Sequence, residues 1–434
     1  MSAGVSVQSV IDRYRSVRER TERLACSLSA EDQVVQSMPD ASPTKWHRAH
    51  TTWFFAEFVL GADGSSDRAW DRPEYRFLYN SYYEAVGARH PRPERGLVTR
   101  PSIEEIAAYR AHVDGEIVEL VSTGLGRTKL DALVLGTHHE EQHQELLLID
   151  IKHVLSMNPA VGPAYVDLAV PLADDPGPMA WIDVAGGVVE IGYDGSDRSP
   201  LENFAFDNEG PRHEVRLYDF ALADRLVTAG EWLGFIDDGG YRRPELWKSD
   251  GWYRAQAEQW EAPLYWRRHP DDPERWWLHT LTGLRSLDPH EPVVHVSHYE
   301  ADAFATWAGA RLPTEFEWEH AAGPRPVSGI FLDDRDPEFT FHPTAAGPPT
   351  GDLRQLYGDC WEWTSSAYQP YPGFRIADGA IGEYNGKFMS GQQVLRGGGA
   401  LTPPGHARLT YRNFFHPHTR WHLAGVRLAA DRAR

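Results

Sequence analysis

What most limits the fold of this chain is a break in texture near Pro176. Up to about residue 160, apolar residues recur at helical spacing; beyond the break, short β-like runs alternate with Gly, Pro and Asp. Ser6–Ser27 sets apolar positions among Arg and Glu, and Ser29–Gln33 reads as a capped restart. Trp46–Leu60 ("WHRAHTTWFFAEFVL") is an aromatic amphipathic helix, and Ser102–Ser122 opens on the capping box "SIEE". Leu130–Met157 is a long helix closed by "NPAVGP". Four helices with a long middle connection predict an antiparallel bundle. After the break, "GGVVEIGYDG", "HEVRLYDFALADRLVT" and "QVLRGGGAL" are strand candidates, while "HYEADAFATWAGA" and "TEFEWEHAAG" are short helices. The expected class is therefore α+β. A helical bundle spans 1–165, a Pro-, Ala- and Asp-rich linker 166–179, and an irregular loop-held domain 180–434.

The string "THHEEQHQE" interrupts the apolar flanks "LVLG" and "LLLIDI" of the last bundle helix. Within it, His139-Glu140-Glu141-Gln142-His143 satisfies H-E-x-x-H, the zinc-protease pattern. His139 and His143 are four residues apart, so both imidazoles leave one helix face and can converge on one ion. A polar helix end or hydrogen-bonded core histidines would satisfy the same spacing. A second pair, His47 and His50, stands on another helix of the same bundle, and bundle cores are where facing helices supply metal ligands. The protease reading lacks its third ligand: no Glu occurs between Glu145 and Glu190, and there is no H-E-x-x-H-x-x-G-x-x-H extension. Asp150 and His153 do not stand at a familiar ligand spacing. A site of three neutral histidines keeps coordination positions open and suits Zn(II), Fe(II) or another divalent ion; spacing does not choose among them.

Composition narrows the partners. A formal net charge of −20 over 434 residues argues against nucleic acid or an anionic membrane. No apolar run approaches the ~20 residues of a membrane span. The first residues carry no secretory apolar region, and the only cysteines are Cys26 and Cys360, which together predict a reducing, cytoplasmic setting.

In the second half, "VSHYEADAFATWAGARLPTEFEWEHAAG", "LYGDCWEWTSSAY", "VLRGG" and "GVRLA" resemble the formylglycine-generating-enzyme domain, a C-type-lectin-like fold, from about Trp181 to Arg432. Those enzymes use a pair of cysteines; here Cys360 stands alone in "GDCWEWT" and reads as a packing residue. With "WHRAHTTWFF" and "HHEEQHQE" on a DinB-like four-helix bundle, the whole chain resembles the ergothioneine-biosynthesis sulfoxide synthases. These are nonheme iron(II) enzymes with an H-x-x-x-H-x-E motif, matched by His139, His143 and Glu145. The resemblance implies that His50, His139 and His143 bind Fe(II). His47 and His138 are then neighbours, Glu145 orients a ligand, and Glu140 is a bystander.

The implied reaction joins a thiol to C2 of the imidazole of hercynine (Nα-trimethylhistidine), consumes O2 and leaves a sulfoxide. In "NSYYEAVGARHPRPERG" the adjacent Tyr82 and Tyr83 match the subfamily whose paired tyrosines serve as proton donors, with Tyr384 in reserve. Arg89, Arg92 and Arg95 can pair with the thiol substrate's carboxylate. Gln142 and Asn413 are expected to contact hercynine, with Phe414 and Phe415 facing its trimethylammonium group. Phe414-Phe415 stands where the mycobacterial pattern has Trp-Asp, the Asp serving γ-glutamylcysteine, and this favours a smaller thiol such as cysteine. Gly399 and Leu401 in "RGGGALTPPGHAR" also depart from the usual pocket wall, which keeps open a selenoneine synthase acting on a selenosugar. The competing classes are a non-catalytic lectin-like binding module and a metal-dependent thiol transferase that uses no O2.

Overall fold

A computed structural model describes residues 7–432 apart from 62–63, 65–66, 159–161, 166–167, 169, 196–203, 324, 377–381 and 383–384. Two compact units emerge. The first comprises Met1–Ala164, Ser196–Phe204 and Ile376–Tyr384; the second comprises Tyr165–Gly195, Ala205–Arg375 and Asn385–Arg434.

The described helices of the first unit are α1 (Val7–Cys26), α2 (Thr44–Phe55), the short α3 (Pro73–Tyr79), α4 (Ile103–Thr123) and α5 (Arg127–Ser156). The expected capping box is present at α4, where Ser102 Oγ accepts from the Glu105 amide and the Glu105 carboxylate accepts from Ser102 N. The aromatic helix begins at Thr44, two residues earlier than its pattern predicts, and ends in a π-helical turn, Ala56–Leu60. Ser29–Gln33 forms a turn and not a helix. Ser29 and Asp32 satisfy each other's backbone amides (2.9 and 3.1 Å), and Gln33 N closes on Ser29 O. So short a stretch cannot repay the cost of helix nucleation.

α5 packs against α1 and α2. Its register on α2 is antiparallel: His47 meets Asp150, His50 meets His139, and Gly136 lies under Phe54 and Phe55. A Cβ at Gly136 would come within 2.6 Å of Phe55 Cε1 and 2.9 Å of the Phe54 ring, so this glycine sets how closely the two helices approach.

The second unit holds small sheets. Trp181–Val184 and Ala429–Asp431 flank Phe220–Ala223, all antiparallel. In the four-stranded sheet, Trp361–Ala367 pairs antiparallel with Gln393–Arg396 and parallel with Ala424–Gly425, and Asn413–Phe415 takes the far edge. Buried ion pairs hold the loops between them: Arg427 on Glu362 (2.8 Å), Arg412 on Glu315 (2.8 Å) and Arg396 on Glu319. Cys360 is buried, and burial pushes its thiol pKa well above the ordinary value. A Cβ at Gly425 would fall 2.6 Å from its sulfur, which places Cys360 in the packing, as expected of a lone cysteine. Among the described residues no helix is long and apolar enough to cross a membrane.

Candidate metal centre

The antiparallel register of α2 on α5 brings His50, His139 and His143 together, with one ring nitrogen of each within 4.8 Å of the others. His50 Nδ1 lies 2.6 Å from the Tyr79 carbonyl, which can only accept. The hydrogen is therefore on Nδ1, and Nε2 presents its lone pair to His139 Nε2 at 3.2 Å. Two imidazole nitrogens on one first-row ion at metal–nitrogen distances near 2.1 Å stand roughly 3.0–3.4 Å apart for octahedral to tetrahedral angles. The observed spacing falls in that range.

The walls are aromatic. Trp46 stacks on His50 (4.5 Å between centroids, 12° between planes) and Trp53 covers the other side (5.6 Å, 20°). Phe54 packs on His139 at 4.8 Å. Burial in this setting lowers the pKa of all three imidazoles, that of His139 to about 3, and in His50 and His143 the neighbouring histidines push the same way. They are therefore neutral near pH 7, the form in which a histidine binds metal. Three neutral imidazoles without carboxylate or thiolate fit a divalent first-row ion that keeps open positions.

Glu140, the base of the protease reading, faces elsewhere. It is fully buried and bonded to Arg18 (2.7 Å), Arg110 (2.8 Å) and the Thr21 hydroxyl (2.6 Å), so that its pKa is held down to about 2 against the cost of burial. It is a structural counter-ion between α1, α4 and α5. His138 stacks on Phe204 (3.9 Å) and lies 3.1 Å from Glu141, which also pairs with Arg13. Glu145 is buried on α5.

The side chain found at His143 is that of His47, whose Nδ1 is 2.8 Å from His143 Nδ1 and whose Nε2 is 3.0 Å from Asp150 Oδ2. Sequence reasoning made His47 only a neighbour of the ligands and found no familiar ligand spacing for Asp150. The signal was present: His47 stands three residues before His50 and Asp150 seven after His143, each on the face of its neighbour.

Tyr83 is fully buried, its ring against Trp53 (5.8 Å), Phe54 (6.3 Å) and Tyr82 (4.6 Å). It is thus one aromatic layer from His50 and His139. Asn80 holds this turn, accepting from Tyr83 N and donating to the Tyr83 and Gly87 carbonyls. Tyr384 lies outside the described residues. Of the three arginines, Arg89 pairs with Glu84 and Arg92 donates to the Asp40 carbonyl, both at the surface. Arg95 is carried inward, 5% exposed, with its guanidinium 3.4 Å from the centre of the Trp46 ring. Gln142 is half-buried beside His143 on α5.

Asn413, Phe414 and Phe415 form an edge strand of the second unit, all half-buried. Asn413 Oδ1 accepts from the Phe414 amide (2.9 Å), Phe414 stacks on Tyr368 (4.0 Å), and Phe415 stacks on His422 (4.3 Å).

The sequence matches two family profiles: the DinB superfamily over residues 13–147 and the sulfatase-modifying factor enzyme 1-like domain over residues 174–432. It is 33% identical to hercynine oxygenase of Mycolicibacterium smegmatis over 98% of this chain and 100% of that protein. With hercynine oxygenase of Mycobacterium tuberculosis the identity is 32% over 95% of this chain and 96% of that protein. Ergothioneine biosynthesis protein 1 of Schizosaccharomyces pombe is 27% identical, covering 54% of this chain and 30% of its own length.

Proposed function

Because the chain belongs to the hercynine oxygenase family of enzymes, we propose that it is a nonheme iron(II) sulfoxide synthase of ergothioneine biosynthesis, joining a thiol to hercynine. The observation that carries this reading is the convergence of His50, His139 and His143 between aromatic walls within a chain similar to hercynine oxygenases over its full length. The balance is closed: thiol R–SH, the hercynine C2–H and O2 give C2–S(O)–R and water. One oxygen atom leaves as water with the two hydrogens, and the other stays on sulfur. The four electrons O2 takes up come from closing the C–S bond and from oxidising the sulfur.

Iron held by three neutral imidazoles keeps positions and charge available for a thiolate and for O2 reduction. The chain's own residues do the rest. Trp46, Trp53 and Phe54 exclude water around the histidines. Tyr83, one layer away, and Tyr82 packed against it at 4.6 Å supply the proton that oxygen reduction requires. Arginines of the 89–95 stretch bind the thiol's carboxylate; Arg95 has the buried position suited to it, while Arg89 and Arg92 would have to leave their surface partners. Gln142 and Asn413 contact hercynine, and Phe414 and Phe415 attract its trimethylammonium group. In this division 1–165 is the metal domain, 166–179 the linker and 180–434 the lectin-like domain. With Phe-Phe in place of Trp-Asp, cysteine is the favoured donor over γ-glutamylcysteine.

The test is aerobic incubation of Fe(II)-loaded protein with hercynine and competing donors (cysteine, γ-glutamylcysteine and a selenosugar), with O2 uptake and product masses recorded. A hercynine–cysteine sulfoxide is expected, lost in His139→Ala and altered in rate or product ratio in Tyr82→Phe and Tyr83→Phe. Protein that holds no iron and consumes no O2 with any donor is not this enzyme. A selenosugar product in place of the sulfoxide would reassign the donor.

A further inference from the structure

We propose that Asp150 and His47 form a hydrogen-bonded relay that fixes the tautomer of His143 and so presents its Nε2 as a metal ligand. The inference rests on the metal reading above and adds two positioning residues to it.

The relay runs in line through two buried side chains, Asp150 and His47, to the half-buried His143. Asp150 Oδ2 accepts from the Ser42 backbone amide at 2.7 Å, which anchors the carboxylate independently of any side chain. The same oxygen lies 3.0 Å from His47 Nε2. A carboxylate has no hydrogen to give, so the proton of this contact sits on His47 Nε2. The neutral ring then carries a lone pair on Nδ1. That lone pair faces His143 Nδ1 at 2.8 Å, and the hydrogen between them must come from His143. A neutral His143 protonated at Nδ1 is bare at Nε2. The order follows from the acceptor-only end of the chain and needs no assumption about a bound ion.

Helix geometry explains why an intermediary is needed. Asp150 stands seven residues after His143 on α5, roughly 10 Å along the axis at about 1.5 Å per residue, too far for its carboxylate to reach the His143 ring. His47 reaches across from α2 and spans the gap. The other two histidines are served differently: His50 donates to the Tyr79 carbonyl at 2.6 Å, while Phe54 packs on His139. A ligand histidine whose second nitrogen is hydrogen-bonded is held in tautomer and in ring orientation, and removing such a partner weakens metal binding by about 10–100-fold.

Co(II) is the probe, titrated into the metal-free full-length protein against a competing chelator. His47→Leu should bind it about 10–100-fold more weakly than wild type. His47→Asn, whose amide oxygen can stand near the lost Nδ1, should recover most of that loss. If Asp150 acts through His47, His47→Leu/Asp150→Asn should bind no more weakly than His47→Leu alone; a merely structural pair would add. Histidine-selective 15N spectra of the metal-free wild type, with His143 assigned by its disappearance in His143→Gln, should show Nδ1 protonated and Nε2 bare. The proposal is overturned by Co(II) affinity unchanged in His47→Leu, or by a proton on His143 Nε2. Should His47→Leu fail to fold, the 15N spectrum of the wild type decides. Should the wild type bind no Co(II), the metal reading falls, and the tautomer still reports on the relay.

Discussion

Consider Glu140→Gln. Glu140 is the one acid inside H-E-x-x-H, and it carries opposite duties in the two readings of that string. As a protease base it would be needed for chemistry and nearly irrelevant to folding. Where it stands, fully buried against Arg18 and Arg110, its charge offsets two guanidiniums that are themselves out of water. Arg18 keeps Asp114 at 2.7 Å and Arg110 keeps Glu22 at 2.7 Å, so the loss is partial. Breaking a buried pair by removing one partner costs about 3–5 kcal/mol. The pKa gives a second route to the magnitude. Glu140 falls from 4.5 in the unfolded chain to about 2 in the folded one, worth about 3 kcal/mol above pH 4.5. The sign follows from the depression: this contribution is complete above pH 4.5 and disappears as pH falls towards 2. Urea unfolding followed by the helical circular-dichroism signal, which reports chiefly on the bundle, should lose about 3 kcal/mol at pH 7 in the variant. The variant's curve should also be flatter than wild type between pH 4.5 and 2. Co(II) affinity should hold within a few-fold, because the Glu140 carboxylate bonds to Arg18, Arg110 and Thr21 and the Gln144 bonds that also set the rotation of α5 are kept. A Glu140→Gln protein of wild-type stability that had lost its metal would refute the assignment.

Gly136→Ala should cost about 1–3 kcal/mol in the same unfolding assay, since its Cβ would meet the Phe54 and Phe55 rings at under 3 Å; it should also weaken Co(II) binding by displacing Phe54 from His139. His422 is buried against Phe415 and Trp363, which depresses its pKa from 6.5 to about 3. Stability of the second unit should therefore be full above pH 6.5 and decline towards pH 3 by several kcal/mol, and His422→Phe should flatten that decline in near-ultraviolet melts. Alkylation of the native protein should label Cys26 and spare Cys360 until urea is added, as mass mapping would report; early modification of Cys360 would contradict its burial.

Periodicity alone located the four long helices, and the capping box "SIEE" fixed where α4 begins. Boundaries failed where the determinant lay elsewhere. α5 starts at Arg127 behind Gly126, and the last turn of the aromatic helix widens into a π-helical turn. His139 and His143 were legible because i and i+4 spacing survives into any α-helix, whereas His50 was singled out from His47 by the family resemblance. For His47 and Asp150 the spacing showed only that each shares a helix face with a ligand; which histidine they serve is set by the register of α2 on α5, which side-chain packing decides. Arg95 shows the same limit: sequence offered three equivalent arginines, and only the path of the 80–97 loop selects the one that stacks on Trp46.

That register also explains why one short string carries two unrelated jobs. On a helix, successive residues point about 100° apart, so in "HHEEQHQE" the pair His139 and His143 faces α2, while Glu140 and Gln144 face α1. Gln144 donates to the Val17 carbonyl at 2.8 Å and to the Thr21 hydroxyl at 3.0 Å, and Thr21 bonds Glu140 in turn. The polar bonds on the α1 side fix the rotation of α5 about its axis. A rotation that spoiled them would swing both histidines away from His50 together. The H-E-x-x-H match then follows from this arrangement without any protease chemistry: two histidines four residues apart share the face that meets α2, and the residue beside the first histidine faces the bundle's buried arginines.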